Sequence, residues 1–117
     1  EHNYSCDNAH TDLIHNVHKY IEEHFPNSAL CLKDLARANF ISIQYLCSVY
    51  RRATQSTIGN YIFEVRMWHV QKLIKDGQRN VTVISEACGY DDLGYFCKCF
   101  RKKFSMTPKQ YIESINS

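Results

Sequence analysis

The chain repeats itself. Leu35, Ala38, Ile41 and Ser42 recur forty-nine residues later as Ile84, Ala87, Tyr90 and Asp91. From there the offset is fifty. Tyr45, Leu46, Cys47, Tyr50, Arg51 and Arg52 return as Tyr95, Phe96, Cys97, Phe100, Arg101 and Lys102, and Thr57, Tyr61 and Ile62 return as Thr107, Tyr111 and Ile112. A self-match at fixed spacing means one supersecondary unit used twice. A length of 117 residues has room for one domain or two very small ones. The repeat therefore occupies most of what can fold.

Hydrophobic periodicity reads as helix throughout and gives no credible strand. Leu13, Ile14, Val17, Ile21 and Phe25 fall on one helical face, started by Thr11-Asp12 and stopped by Pro26-Asn27. A short helix from Leu32 to Asn39 turns Leu35, Ala36 and Ala38 inward. Ser42 caps a third helix to Ala53, and Thr57 caps the longest one, to Lys75 before Asp76-Gly77. Asn80 caps a fifth that ends at Gly89, and Asp91 or Asp92 caps a sixth to Phe104. Thr107-Pro108-Lys109-Gln110 is a capping box with proline at the first helical position, opening a seventh. The expected fold is all-α with seven helices in two helix-turn-helix subdomains joined by a long linker helix. Residues 1–10 are expected as a disordered or linker lead-in, 11–56 as the first unit, 57–76 as the linker helix and 77–117 as the second unit.

The repeated longer helices carry the functional signal. Leu46, Val49, Tyr50 and Ala53 of the third share one side, leaving Gln44, Cys47, Ser48 and Arg51 within roughly a 100° arc on the other. In the sixth, Phe96, Cys99, Phe100 and Phe104 oppose Gly94, Cys97, Lys98 and Arg101. Each outer arc has small or hydrogen-bonding groups first, a cation one turn later and no acid. That order suits a helix in a major groove, with base edges near its N-terminus and phosphate beyond. The charge agrees. Residues 1–34 hold six acids and two bases, residues 35–117 twelve bases and six acids, and Leu93 to Ile112 five cations without an acid. A net +2 conceals a basic half that suits a phosphate-facing surface.

These residues resemble the DNA-binding domain of the AraC/XylS regulators. Leu32-Lys33-Asp34-Leu35-Ala36-Arg37-Ala38, then Ser42-Ile43-Gln44-Tyr45-Leu46 and Tyr50-Arg51-Arg52, are similar to its first half. Tyr61-Ile62, Val65-Arg66-Met67 and Gln71-Lys72-Leu73-Ile74 resemble its linker helix. Ile84, Ala87, Gly89-Tyr90, Asp92, Tyr95-Phe96, Phe100-Arg101-Lys102 and Met106-Thr107-Pro108-Lys109-Gln110-Tyr111 resemble its second half, so the match spans about residues 13–115. The resemblance implies sequence-specific binding of double-stranded DNA by two recognition helices in successive major grooves, regulating bacterial transcription. It also implies contact with RNA polymerase and a separate sensing or receiver domain in the full-length protein. Carried over by position, base contact falls to Gln44, Cys47, Ser48, Leu93, Gly94, Cys97 and Lys98, and backbone contact to Tyr45, Arg51 and Arg101. There are departures. Phe40 stands at the family's turn glycine, which calls for strain there or a positive φ at Asn39. Cys31 replaces the Ser/Thr cap, and Gln55 and Ser105 replace the glycines that end the recognition helices.

Other readings are weaker. His15 and His18, with His10 nearby, lack a third fixed metal ligand and are expected in solvent. The six cysteines, Cys6, Cys31, Cys47, Cys88, Cys97 and Cys99, form no CxxC and are expected as reduced thiols. Trp68 is expected to pack between the two units. No Ser/Cys–His–acid constellation, phosphate loop or paired carboxylates suggest an enzyme, so neither catalysis nor a cofactor or metal is expected. There is no span of 18 apolar residues, and the first ten residues show neither a basic n-region nor an apolar h-region, so no membrane partner and a cytoplasmic location are expected, for a piece of a longer protein. The alternative function is a helical protein-interaction module that does not bind DNA.

Overall fold

The structure is a computed structural model that describes the backbone of residues 2–116 and the side chains of residues 10–115. Seven helices follow one another among these residues: α1 (His2–His24), α2 (Leu32–Ala38), α3 (Ile43–Thr54), α4 (Ile58–Lys75), α5 (Val81–Ala87), α6 (Leu93–Phe104) and α7 (Pro108–Asn116). The expected all-α class and helix count hold. The first helix begins at His2, so residues 2–10 are helical where a lead-in was expected. No proline or glycine interrupts that stretch, and the periodic face alone cannot mark where a helix starts. Cys6 lies outside the residues whose side chains are described.

The caps are local chemistry. Ser42 Oγ accepts from Tyr45 N–H at 3.1 Å, Asn80 Oδ1 from Val83 N–H at 3.2 Å and Thr57 Oγ1 from Asn60 N–H at 3.1 Å. Of the two candidate aspartates, Asp92 caps α6, accepting from Tyr95 N–H at 3.0 Å. Thr107 and Gln110 form the reciprocal box, at 3.0 and 3.2 Å. Cys31 stands at the start of α2, where Asp34 Oδ2 accepts from its N–H and its S–H at 3.3 and 3.5 Å.

The chain divides into two compact units, residues up to His24 with Ala29–Phe63, and Phe25–Ser28 with Glu64–Ser117. The first buries Val17, Ile21, Leu35, Ala36, Leu46, Val49, Tyr50 and Ile58. Each valine, leucine or isoleucine among them contributes about 1.5–3 kcal/mol. A polar cluster sits at its edge. His18 Nε2 lies 2.7 Å from Tyr50 Oη, its ring stacks on Tyr61 at 3.9 Å, and Tyr61 Oη donates to Glu22 at 2.9 Å. Burial lowers the His18 pKa, with Glu22 opposing and His15 assisting. His18, expected in solvent, is half-buried because the turn it occupies faces α3 and α4, whereas His15 is exposed.

Ala38 and Ala53, expected inward, are exposed. Ala38 is the last residue of α2, about 110° from the centre of the arc set by Leu35 and Ala36. Ala53 shares the arc of Leu46 and Val49 but lies in the last turn of α3, on an open groove beside Ile14 and His15.

The second unit buries Val65, Met67, Val70, Ile74, Ile84, Cys88, Tyr90, Phe96, Phe100 and Ile112. Rings run through it in sequence, Tyr90 on Phe96, Phe96 on Phe100, and Phe100 on Phe104 and Tyr111. Residues 25–28 join this unit through specific contacts. Arg66 Nε donates to Phe25 O at 3.1 Å and Nη2 to Asn27 O at 3.0 Å, while Phe25 stacks on His69 at 4.1 Å. Trp68 does not pack away as expected. It is 59% exposed, edge-on to His69.

Candidate nucleic-acid interface

Each unit closes its short helix and opens its longer one in the same way. In the first, Ile41 N–H donates to Ala36 O at 3.1 Å and Phe40 N–H to Arg37 O at 3.2 Å. In the second, Tyr90 N–H donates to Ser85 O at 2.9 Å and Gly89 N–H to Glu86 O at 3.3 Å. This is the Schellman closure, which requires positive φ at the residue after the cap. Gly89 has φ +95, and Phe40 has φ 59. The expected alternative fails, since Asn39 has φ −107 and instead donates its amide to Leu35 O at 2.9 Å. The reason is register. The left-handed residue must follow the cap, so the strain falls on Phe40 whatever its neighbours prefer.

The longer helices end alike too. Gln55 and Ser105 take left-handed conformations with φ 63 and 62, and their N–H groups donate to Arg51 O and Arg101 O. Both helices are thus cut to twelve residues, with a cap before and a left-handed residue after.

Their outer faces are open. Gln44, Tyr45, Ser48 and Arg51 of α3 are exposed and Cys47 is half-buried, while Leu46, Val49 and Tyr50 are buried. On α6, Leu93, Gly94, Lys98 and Arg101 are exposed and Cys97 is half-buried, over buried Phe96 and Phe100. Each unit therefore brings its own set of candidate residues onto one helix face. Neither helix contains an acid. The ion pairs among the described residues join Lys72 to Asp76 and Lys103 to Glu64, leaving Arg51, Lys98 and Arg101 outside both. A desolvated partner would thus meet uncompensated positive charge on either helix.

Repeat register also exposes residues the sequence reading passed over. Ile43 and Leu93 are matched at the first helical position, 39% and 44% exposed. Tyr45 and Tyr95 are matched at the third, 48% and 58% exposed. Hydrogen bonding to Cys99 raises the Tyr95 pKa. The fifty-residue offset was signal enough to find Ile43 and Tyr95.

The family model described as a helix-turn-helix domain matches residues 35–114. The chain is 30% identical over 105 residues to the uncharacterized HTH-type transcriptional regulator YijO of Escherichia coli, covering 90% of this chain and 37% of that protein. Among solved structures it is similar to the C-terminal domain of AraT, a response regulator from Geobacillus stearothermophilus, with TM-score 0.83, 25% identity and coverage of 87% and 84%. It also shares its fold with the DNA-binding domain of the transcriptional factor AdpA, solved in complex with a target DNA, with TM-score 0.76, 19% identity and coverage of 84% and 87%.

Proposed function

The chain belongs to the AraC/XylS family of helix-turn-helix domains, and from that premise we propose that it binds double-stranded DNA in a sequence-specific way and regulates bacterial transcription. The observation that carries the reading is the paired face: two helices fifty residues apart in sequence, each capped, acid-free and open along the same register. Gln44, Cys47 and Ser48 meet base edges from α3, where an amide can bond adenine N6 and N7 together. Leu93, Gly94, Cys97 and Lys98 do so from α6, with leucine against a thymine methyl and glycine admitting close backbone approach. Tyr45, Arg51 and Arg101 hold phosphate. In this reading each of the two helices enters a major groove of the duplex.

The chain spans 37% of the length of YijO, and we propose a sensing or receiver domain as its partner in the full-length protein. RNA polymerase is the further partner, and the setting is cytoplasmic. No catalytic role is proposed.

Affinity for a selected site and for random duplex, measured at several salt concentrations, tests the roles. Gln44→Ala costs about 1–3 kcal/mol on the selected site and almost nothing on random DNA. Arg51→Ala weakens both and lowers the salt slope by about one. Equal weakening of both duplexes by Gln44→Ala overturns the placement of α3 as a reading helix.

A further inference from the structure

Beside the outer face of α3, within the first unit, lies a groove of about 480 Å³. Leu32, Ile58 and Gly59 form its apolar side, and Cys47, Ser48 and Arg51 form the other. That volume, with mostly apolar walls and a few polar groups, is the make-up of a small-ligand site. Arg51 is the one formally charged residue of the lining, no acid lies in it, and neither described ion pair uses Arg51. Position 59 contributes no side chain to the lining. Gly59 lies in the first turn of α4 with no positive φ, and an added Cβ would meet only Thr57 Oγ1, at 4.0 Å. The backbone has no need of glycine there, and glycine within a helix costs about 0.5–1 kcal/mol relative to alanine.

We infer that this groove binds a small amphipathic carboxylate, its apolar body along Leu32, Ile58 and Gly59 and its carboxylate on the Arg51 guanidinium. A planar guanidinium accommodates a carboxylate through two parallel hydrogen bonds. The groove shares Cys47, Ser48 and Arg51 with the proposed reading face, so the bound anion and the duplex exclude one another. That second half rests on the proposed function, whereas the first does not.

Backbone amide NMR of the free protein tests the first half, with sodium octanoate below its micelle-forming concentration, 1-octanol and inorganic phosphate as probes. Octanoate shifts the amides of Leu32, Ile58 and Gly59 saturably, and octanol binds at least about tenfold more weakly, the loss expected with a charge-assisted hydrogen bond. Gly59→Leu fills the groove and abolishes the shifts while melting no lower than the parent. Should it fail to fold, Gly59→Ala, which adds one methyl in open space, gives a partial loss. Octanoate then weakens duplex binding by the parent protein but not by the filled variant. No saturable shift, equal binding of octanol, shifts by phosphate alone or full binding by Gly59→Leu would each overturn the site. Binding without any effect on duplex affinity overturns the exclusion. A protein that binds no duplex defeats the proposed function, and the amide shifts still decide the groove.

Discussion

Two glycines in this chain carry positive φ, and they allow backbone strain to be separated from packing. Gly77 has φ +109 and an added Cβ would find nothing within 4 Å. Gly89 has φ +95, but its Cβ would fall 2.2 Å from Phe25 O and 2.8 Å from Arg66 Nε. Gly77→Ala should cost only the strain, about 1–3 kcal/mol. Gly89→Ala bears a similar strain and must also displace the carbonyl that Arg66 holds at 3.1 Å. A charge-assisted hydrogen bond is worth about 1.5–3 kcal/mol, so the total is about 2.5–6 kcal/mol. At roughly 4 °C per kcal/mol for a chain of this size, the melting temperature should fall by about 4–12 °C in the first variant and about 10–24 °C in the second. Thermal denaturation followed by far-UV circular dichroism reads both. Arg66→Ala should not rescue Gly89→Ala, because the nearest obstruction is main chain. Two glycine variants agreeing within about 0.5 kcal/mol would refute the argument that position 89 is fixed by close approach.

Gln55→Gly, Ser105→Gly and Phe40→Gly should each stabilise the fold by about 0.5–1 kcal/mol, relieving left-handed strain at some cost in unfolded-chain entropy, as chemical denaturation would register. His18 has a folded-state pKa below its usual 6.5, so the unfolded chain takes up the proton first. Its contribution is complete above about pH 6.5 and is lost as pH falls through that value towards the folded pKa. His18→Phe should flatten this part of a melting-temperature profile. Burial pushes the Cys88 thiol up to about 11, so maleimide should label exposed Cys31 at once and Cys88 only on unfolding. Cys88→Ser should cost about 1–3 kcal/mol, Cys97→Ser should leave folding intact, and reductant or chelator should not unfold the protein.

Much of the architecture was written in local chemistry. Ser42, Thr57, Asn80, Asp92 and Thr107 each satisfy an N–H within three residues, and a cap that acts over so short a range is visible in sequence. The outer faces of α3 and α6 were legible for a related reason. Helical periodicity fixes which side chains share a face, and buried Leu46, Val49, Phe96 and Phe100 then decide which face is left. What the sequence could not decide depended on contacts made from far along the chain. His18 is half-buried because Tyr50 and Tyr61 close over it, and residues 25–28 join the second unit because Arg66 and His69 hold them there. Ala38 and Trp68 are exposed because none of the described residues covers them. Position 40 shows both levels at once. Sequence alone revealed that a turn needing glycine has phenylalanine, but only the folded closure, with Ile41 N–H on Ala36 O, put the positive φ on Phe40 itself.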